Sequence, residues 1–241
     1  MRVPSAADLV DLRGRGAALH AIDRALLALD ADGADRDALA RLPLGVRDAR
    51  LLAVRRALLG DRIDAEADCP ACGERLELAL GCGTLIAAAS TPPDAWEIEC
   101  GAWRVTVRPL DSLDAAAAAA CDDARVAEEV LLRRCVTDAR RNGDACDALA
   151  LPRDVRDAVA ESLADHDPGA EWLLDLACPA CGHTWQSVLD VADFVWRELA
   201  AHGDRLLGEV HVLARAYGWG ESNILALPAA RRAAYLAMVS T

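Results

Sequence analysis

Lysine is absent from this chain, so all 26 of its basic residues are arginine. Aromatic residues are scarce, with one Phe (Phe194), two Tyr and six Trp. Acidic residues number 39, giving a net charge of −13 and a pI near 4.8. That balance argues against a nucleic-acid partner, whose phosphates favour a basic surface, and against an anionic membrane surface. The charges are mixed along the chain and form no acidic tail, as on a solvated globular surface. No apolar run approaches the ~20 residues of a membrane span. The stretch from Met1 to Leu12 carries Asp8 and Asp11 where an export signal needs an apolar core. A cytoplasmic location is therefore expected, and with it reduced cysteines. A Gly-rich phosphate loop, a His-Glu-x-x-His pair and a Gly-x-Ser-x-Gly elbow are also missing. His20, His166, His202 and His211 are scattered.

What the chain does have is a 54% apolar composition over 241 residues, enough for one domain with insertions or two small ones. It also has nine cysteines, four of them in two nearly identical segments. The first reads Cys69-Pro70-Ala71-Cys72-Gly73 and the second Cys178-Pro179-Ala180-Cys181-Gly182. Each is preceded and followed by a strand-like stretch. Residues 63–68 lead into the first knuckle, and Leu76, Leu78 and Leu80 alternate beyond it with the period of a half-buried strand. Trp172 to Ala177 and the run His183 to Leu189 repeat the arrangement. The unit is strand–knuckle–strand, twice, as in a zinc ribbon.

A closed structural zinc site takes four ligands in a tetrahedron, and each knuckle supplies two. One site formed by Cys69, Cys72, Cys178 and Cys181 would clamp two distant parts of the chain, with Zn2+ as the expected ion. Closing the long segment between them costs an entropy that grows slowly with length. Other chemistries share these residues. Cys-Pro-x-Cys is also a thiol-oxidoreductase pattern, but it should then open a helix, whereas here Gly and strand-like residues follow. Four cysteines can also bind an iron–sulfur cluster. A catalytic zinc would need an open position, for which His183 could replace a thiol; as a strand residue it is expected to be exposed. The other cysteines, Cys82, Cys100, Cys121, Cys135 and Cys146, are irregularly spaced and read as small apolar residues. Asp48, Asp61 and Asp64 near the first knuckle read as solvated or capping groups. Trp96, Trp103, Trp172 and Trp185 read as core filling, with an interface anchor as the alternative.

Along the rest of the chain, residues 1–16 read as a loose arm. Helices are expected at 17–29, 35–42 and 44–59, the last stopped by Gly60. Trp96 to Cys100 and Trp103 to Arg108 read as a hairpin through Gly101. Helices follow near 113–121, capped at Asp111-Ser112, to about Val136, and from Pro152 to about Ala164. Asn142-Gly143 marks a turn. The C-terminal part is helical: 191–201, then a run with Leu206, Val210, Leu213 and Tyr217 on one face, ended by Gly218. A short turn at 221–227 and a last helix from Pro228 complete it. The expected fold is α+β, in four parts. These are an N-terminal arm and helices (1–60), a split zinc-ribbon-like module (61–90 and 170–190), a hairpin plus helical insert (91–169), and a C-terminal helical bundle (191–241).

Four stretches together resemble a known family. They are Leu42-Pro43-Leu44-Gly45-Val46-Arg47-Asp48 running to Leu51-Leu52 and Arg55; the first knuckle from Asp68 to Glu77; Val105 to Leu113; and His211 to Leu236, with Ala214-Arg215-Ala216-Tyr217-Gly218-Trp219-Gly220-Glu221. This pattern resembles the T4-like baseplate hub assembly chaperone family of phage tails and contractile injection systems. Gly220 stands where the pattern often has Ser, and Asp111 near where it often has Thr. The resemblance implies a non-catalytic assembly, chaperone or structural protein of a baseplate, with no catalytic residues and with baseplate or hub proteins as partners. It implies zinc as a staple on the same four cysteines. Tyr217, Trp219, Ile224 and Tyr235 are the candidate partner-binding surface. Two other classes stay open: a thiol- or zinc-dependent enzyme, and a zinc-ribbon regulatory protein.

Overall fold

The two apolar runs expected near the C-terminus form one helix in the computed structural model, which describes residues 2–30, 33 and 35–239. This helix, α9 (Val191–Tyr217), starts under an Asp190 cap and stops at Gly218, whose φ of +68° is the left-handed conformation that favours glycine. At 1.5 Å per residue it is about 40 Å long, and most of the other helices of the main body pack on it. Between those two runs lies Gly203, where a Cβ would come within 2.9 Å of Arg13 Cβ and 3.0 Å of Leu9 O.

Those two atoms belong to α1 (Ala6–Gly16), which corrects the expectation of a loose arm over residues 1–16. Ser5 and Asp8 close a capping box at its start. Leu9, Leu12 and Gly16 turn one buried stripe toward α9, hidden in the sequence among Arg and Asp. Gly16 is as constrained as Gly203, since a side chain there would enter the ring of Trp196. Met1 lies outside the described residues, as do 31, 32, 34, 240 and 241.

The helices α2 (Ala21–Leu29), α3 (Arg36–Ala40) and α4 (Leu44–Leu59) follow, all expected. They share one core with α1, α9 and α10 (Glu221–Leu225), centred on Leu26, Leu51, Leu52, Leu199, Leu206, Leu213 and Ile224. The last helix, α11 (Ala229–Val239), lies along α9. The N- and C-terminal ends of the chain thus build a single helical body.

Two hairpins leave this body: β1 (Arg62–Asp68) with β2 (Arg75–Gly81), and β7 (Trp172–Ala177) with β8 (Thr184–Leu189). Each is an antiparallel pair, and they are not hydrogen-bonded into one sheet. A short helix the sequence did not reveal, α5 (Cys82–Ala88), returns the chain from β2 and buries Cys82 and Leu85 in the main core.

The segment between the hairpins has its own small core. β3 (Trp96–Cys100), β4 (Trp103–Val107), β5 (Val136–Arg141) and β6 (Asp144–Ala145) form an antiparallel meander. Val105, Val107 and Ala139 pack beneath Leu132 and Cys135 of α7 (Ala124–Cys135) and Val155 and Val159 of α8 (Arg153–His166). The Ala-rich α6 (Ser112–Ala119) is held by Asp111 and Asp114 in a capping box. Asp114 is fully buried and receives Arg108 at 2.7 Å and Arg134 at 2.6 Å. The insert is tied to α4 by Leu44 N–H donating to Leu110 O (3.0 Å), by Arg47 donating to Ser112 Oγ (3.3 Å), and by Gly45 N–H donating to Asp167 Oδ2 (3.1 Å). Asp167 thus caps α4 from a distant part of the chain, because Pro43 at its N-cap makes no side-chain capping bond.

Candidate metal centre

The two knuckles have nearly the same backbone. Cys69 N–H donates to Glu74 O (2.8 Å) and Gly73 N–H to Cys69 O (2.8 Å). In the second, Cys178 N–H donates to His183 O (2.8 Å) and Gly182 N–H to Cys178 O (2.9 Å). Gly73 and Gly182 have φ of +76° and +72°, the conformation that only glycine adopts without strain. Each turn is flanked by strands paired in register to their last residues, Asp68 with Arg75 and Ala177 with Thr184. The hairpins therefore hold each pair of thiols at a rigid tip.

The tips meet. The sulfur atoms of Cys69, Cys72, Cys178 and Cys181 all lie within 4.8 Å of one another. Across the hairpins, Cys69 Sγ is 3.7 Å from Cys181 Sγ and Cys72 Sγ is 3.6 Å from Cys178 Sγ. Metal–sulfur bonds of about 2.3 Å in a tetrahedron put neighbouring sulfurs about 3.8 Å apart. The four thiols therefore fit the coordination shell of one ion and could hold it. Among the described residues no other group of His, Cys, Asp and Glu side chains converges in this way.

One cysteine of each knuckle is buried (Cys69, Cys178) and one exposed (Cys72, Cys181). Cys69 and Cys178 form a small apolar cluster with Leu76, against which Leu78 and Trp185 pack. Leu76 and Leu78 reach that cluster through the alternation of β2, and Trp185 comes from β8. Backbone N–H groups of Cys181 and Ala180 hold the Cys178 thiol down, to about 7. The N–H of Glu74 acts the same way on Cys72, but the thiols of Cys181, Cys178 and Cys69 outweigh it and push Cys72 up to about 12. Cys181 is likewise raised: the N–H of His183 would lower it, while the thiols of Cys178 and Cys69 raise it. Four thiols this close cannot all ionise without a cation among them, and an ion that binds thiolate supplies it.

His183 enters the turn through its carbonyl. Its ring is exposed, as expected, and stacks on Trp185 at 5.9 Å. Each Cys-x-x-Cys runs into a strand, β2 or β8, and opens no helix. Asp61 pairs with Arg56 and accepts Gly83 N–H, and Asp64 pairs with Arg62 at the surface. Asp48, expected to be solvated or capping, is instead buried against Arg47 at 2.7 Å. It sits on the inner face of α4 with Leu51, Leu52 and Arg55, at spacings of three, four and seven residues, so helical periodicity could have found it. Arg55 on that face is buried in a bidentate pair with Glu198 of α9. Cys82 is buried in the main core and Cys135 in the insert core, outside the four-thiol group; Cys100, Cys121 and Cys146 are half-buried.

At the C-terminus, Tyr217, Trp219 and Tyr235 form an aromatic cluster. Tyr217 stacks on Trp219 at 4.7 Å, and Tyr235 meets both edge-on, at 5.7 and 4.9 Å. Tyr217 is 38% exposed and the other two are half-buried. Ile224 does not belong with them on a surface: it is fully buried in the main core, because α10 turns it inward. Of the four candidate surface residues, three remain.

Among the described residues no helix is long and apolar enough to cross a membrane. Comparison of the chain with protein-family models, with curated proteins and with solved structures finds no match.

Proposed function

We propose that the four thiols hold a zinc ion as a structural staple, and that the protein serves as a non-catalytic assembly, chaperone or structural component of a phage-tail-like baseplate. The observation that carries the staple is the convergence of four sulfurs from hairpins 106 to 112 residues apart in sequence. A tetrathiolate shell leaves the ion no open position for substrate, so it favours a structural over a catalytic role. The baseplate setting rests on the family resemblance. The partners would be baseplate or hub proteins in the bacterial cytoplasm, met by the Tyr217, Trp219 and Tyr235 cluster.

Native mass spectrometry and thiol titration test the staple. One zinc per chain and four thiols protected until chelator is added support it; no bound metal, or an iron–sulfur chromophore, refutes it. Co-purification with baseplate proteins, weakened by Trp219→Ala, supports the setting, and unchanged co-purification of that variant removes the cluster from it. A thiol-dependent enzyme is the second reading, since Cys-Pro-x-Cys is also a thiol-oxidoreductase pattern, although each pair here runs into a strand and opens no helix. A cysteine pair that alkylates rapidly in the metal-bound protein would select it.

A further inference from the structure

The four converging thiols are not equally placed. Cys69 Sγ lies 3.7 Å from Cys181 Sγ, and Cys72 Sγ lies 3.6 Å from Cys178 Sγ. Both contacts run between the hairpins, and each joins an exposed thiol to one that is 3% exposed. Cys72 and Cys181 meet solvent at the tips, while Cys69 and Cys178 sit in the apolar cluster with Leu76. Among the described residues none of the other five cysteines has a second sulfur in such contact. Cys121, Cys135 and Cys146 turn their thiols to backbone carbonyls, and Cys82 receives Arg55.

The same placement suits a second chemistry. A disulfide has an S–S length of about 2.05 Å, so each pair must close by about 1.6 Å, under an ångström per sulfur. Side-chain rotation supplies that movement, and the backbone need not follow, because the strands on either side stay paired up to Asp68–Arg75 and Ala177–Thr184. Zinc has no redox chemistry of its own, so an oxidant acts on its sulfurs. Oxidation follows thiolate character and exposure, and here one thiol of each pair is open while the other waits behind it.

We infer that a peroxide converts these thiols into two disulfides between the hairpins, Cys69–Cys181 and Cys72–Cys178, so that a covalent clamp takes over from the metal clamp. The inference rests on the staple reading for the ion displaced, and on the sulfur contacts for the pairing. In each pair the exposed thiolate attacks a peroxide oxygen, which gives a sulfenic acid and hydroxide. The buried thiolate then attacks that sulfur, forms the S–S bond and expels a second hydroxide; two protons from solvent turn both hydroxides into water. Each pair loses two electrons and each peroxide gains two, so two peroxides consume all four thiolates. None then remains to hold a metal. The tips stay joined, because the two disulfides span 112 and 106 residues, as the ion would. Disulfides within a knuckle would instead let the hairpins part.

Titration of the zinc-loaded full chain with hydrogen peroxide tests it, read by released zinc, non-reducing peptide mapping and thermal melting. Two peroxides per chain should release one zinc and leave the Cys69–Cys181 and Cys72–Cys178 links. The oxidised protein should melt near the zinc form and above the chelated one, and dithiothreitol should restore the thiols and zinc binding. Cys181→Ser should still form the Cys72–Cys178 link, and Cys146→Ser should change nothing. Links within a knuckle, sulfinic acids in place of disulfides, or melting no higher than the chelated protein overturn the inference, and leave the staple standing if zinc was bound at the start. The same two links in a protein that never held zinc support the pairing and refute the staple.

Discussion

Replacing Cys69 by Ser should destabilise the protein as much as replacing Cys178 by Ser, and combining the two should cost nothing further. The reason is geometric: the four thiols converge on one point, so either change would open the same metal cross-link. An ion held by these thiols would close a loop of 106 to 112 residues. In the chain-entropy treatment of cross-links, a loop near 100 residues is worth about 4.7 kcal/mol. For a chain of this size each kcal/mol moves Tm by about 2–4 °C, so the expected fall is roughly 10–20 °C. Thermal melts of the wild type, the two single variants and the double variant measure it, each with and without chelator. Chelator should lower the wild type by the same amount and leave the variants where they are. Markedly unequal single variants, or losses that add in the double variant, would mean two independent sites and would refute a shared ion.

Gly203→Val should cost about 1–3 kcal/mol by overpacking the α1–α9 crossing, read as a lower denaturant midpoint; unchanged stability would mean that α1 does not dock there. Asp114→Asn should cost about 2–3 kcal/mol, less than a fully buried pair because Arg108 and Arg134 keep some water. Burial by itself would raise the Asp114 carboxyl, but Arg108, the Asp111 N–H and Arg134 outweigh it and hold it below its usual value. Its contribution is therefore present above the unfolded carboxylate pKa of about 3.9 and lost as pH falls through the lower folded value. Denaturation curves from pH 6 downward should lose part of their acid slope in Asp114→Asn, and an identical slope would contradict the assignment. Ile224→Ala should cost about 2–5 kcal/mol, whereas Trp219→Ala should cost less, because Trp219 is only half-buried; chemical denaturation of both separates core from surface.

Local signals were enough for the strands around each knuckle, the hairpin through Gly101, the Asp111 cap and the Gly218 stop, because each depends on neighbours in the chain. The four converging thiols were legible because two nearly identical short motifs carry half of a known coordination shell each. Other features were invisible locally. Residues 6–16 look like a polar arm because Leu9, Leu12 and Gly16 gain their meaning only against Trp196 and Gly203. Strand β5 was missed because Val136 to Arg141 shows no alternation and exists through pairing with β4. The inward turn of Ile224 and the distant cap of Asp167 on α4 likewise depend on partners far away in sequence.

By itself, then, the amino-acid order determined the chemistry of the candidate metal centre: which sulfurs, in what turns, followed by which glycines. Tertiary structure alone decided that the two tips meet and that segments from both ends of the chain share one core around α9. Short-range preferences act through bonds a few residues long, whereas these two arrangements come from packing segments remote from one another, a quantity no local pattern records.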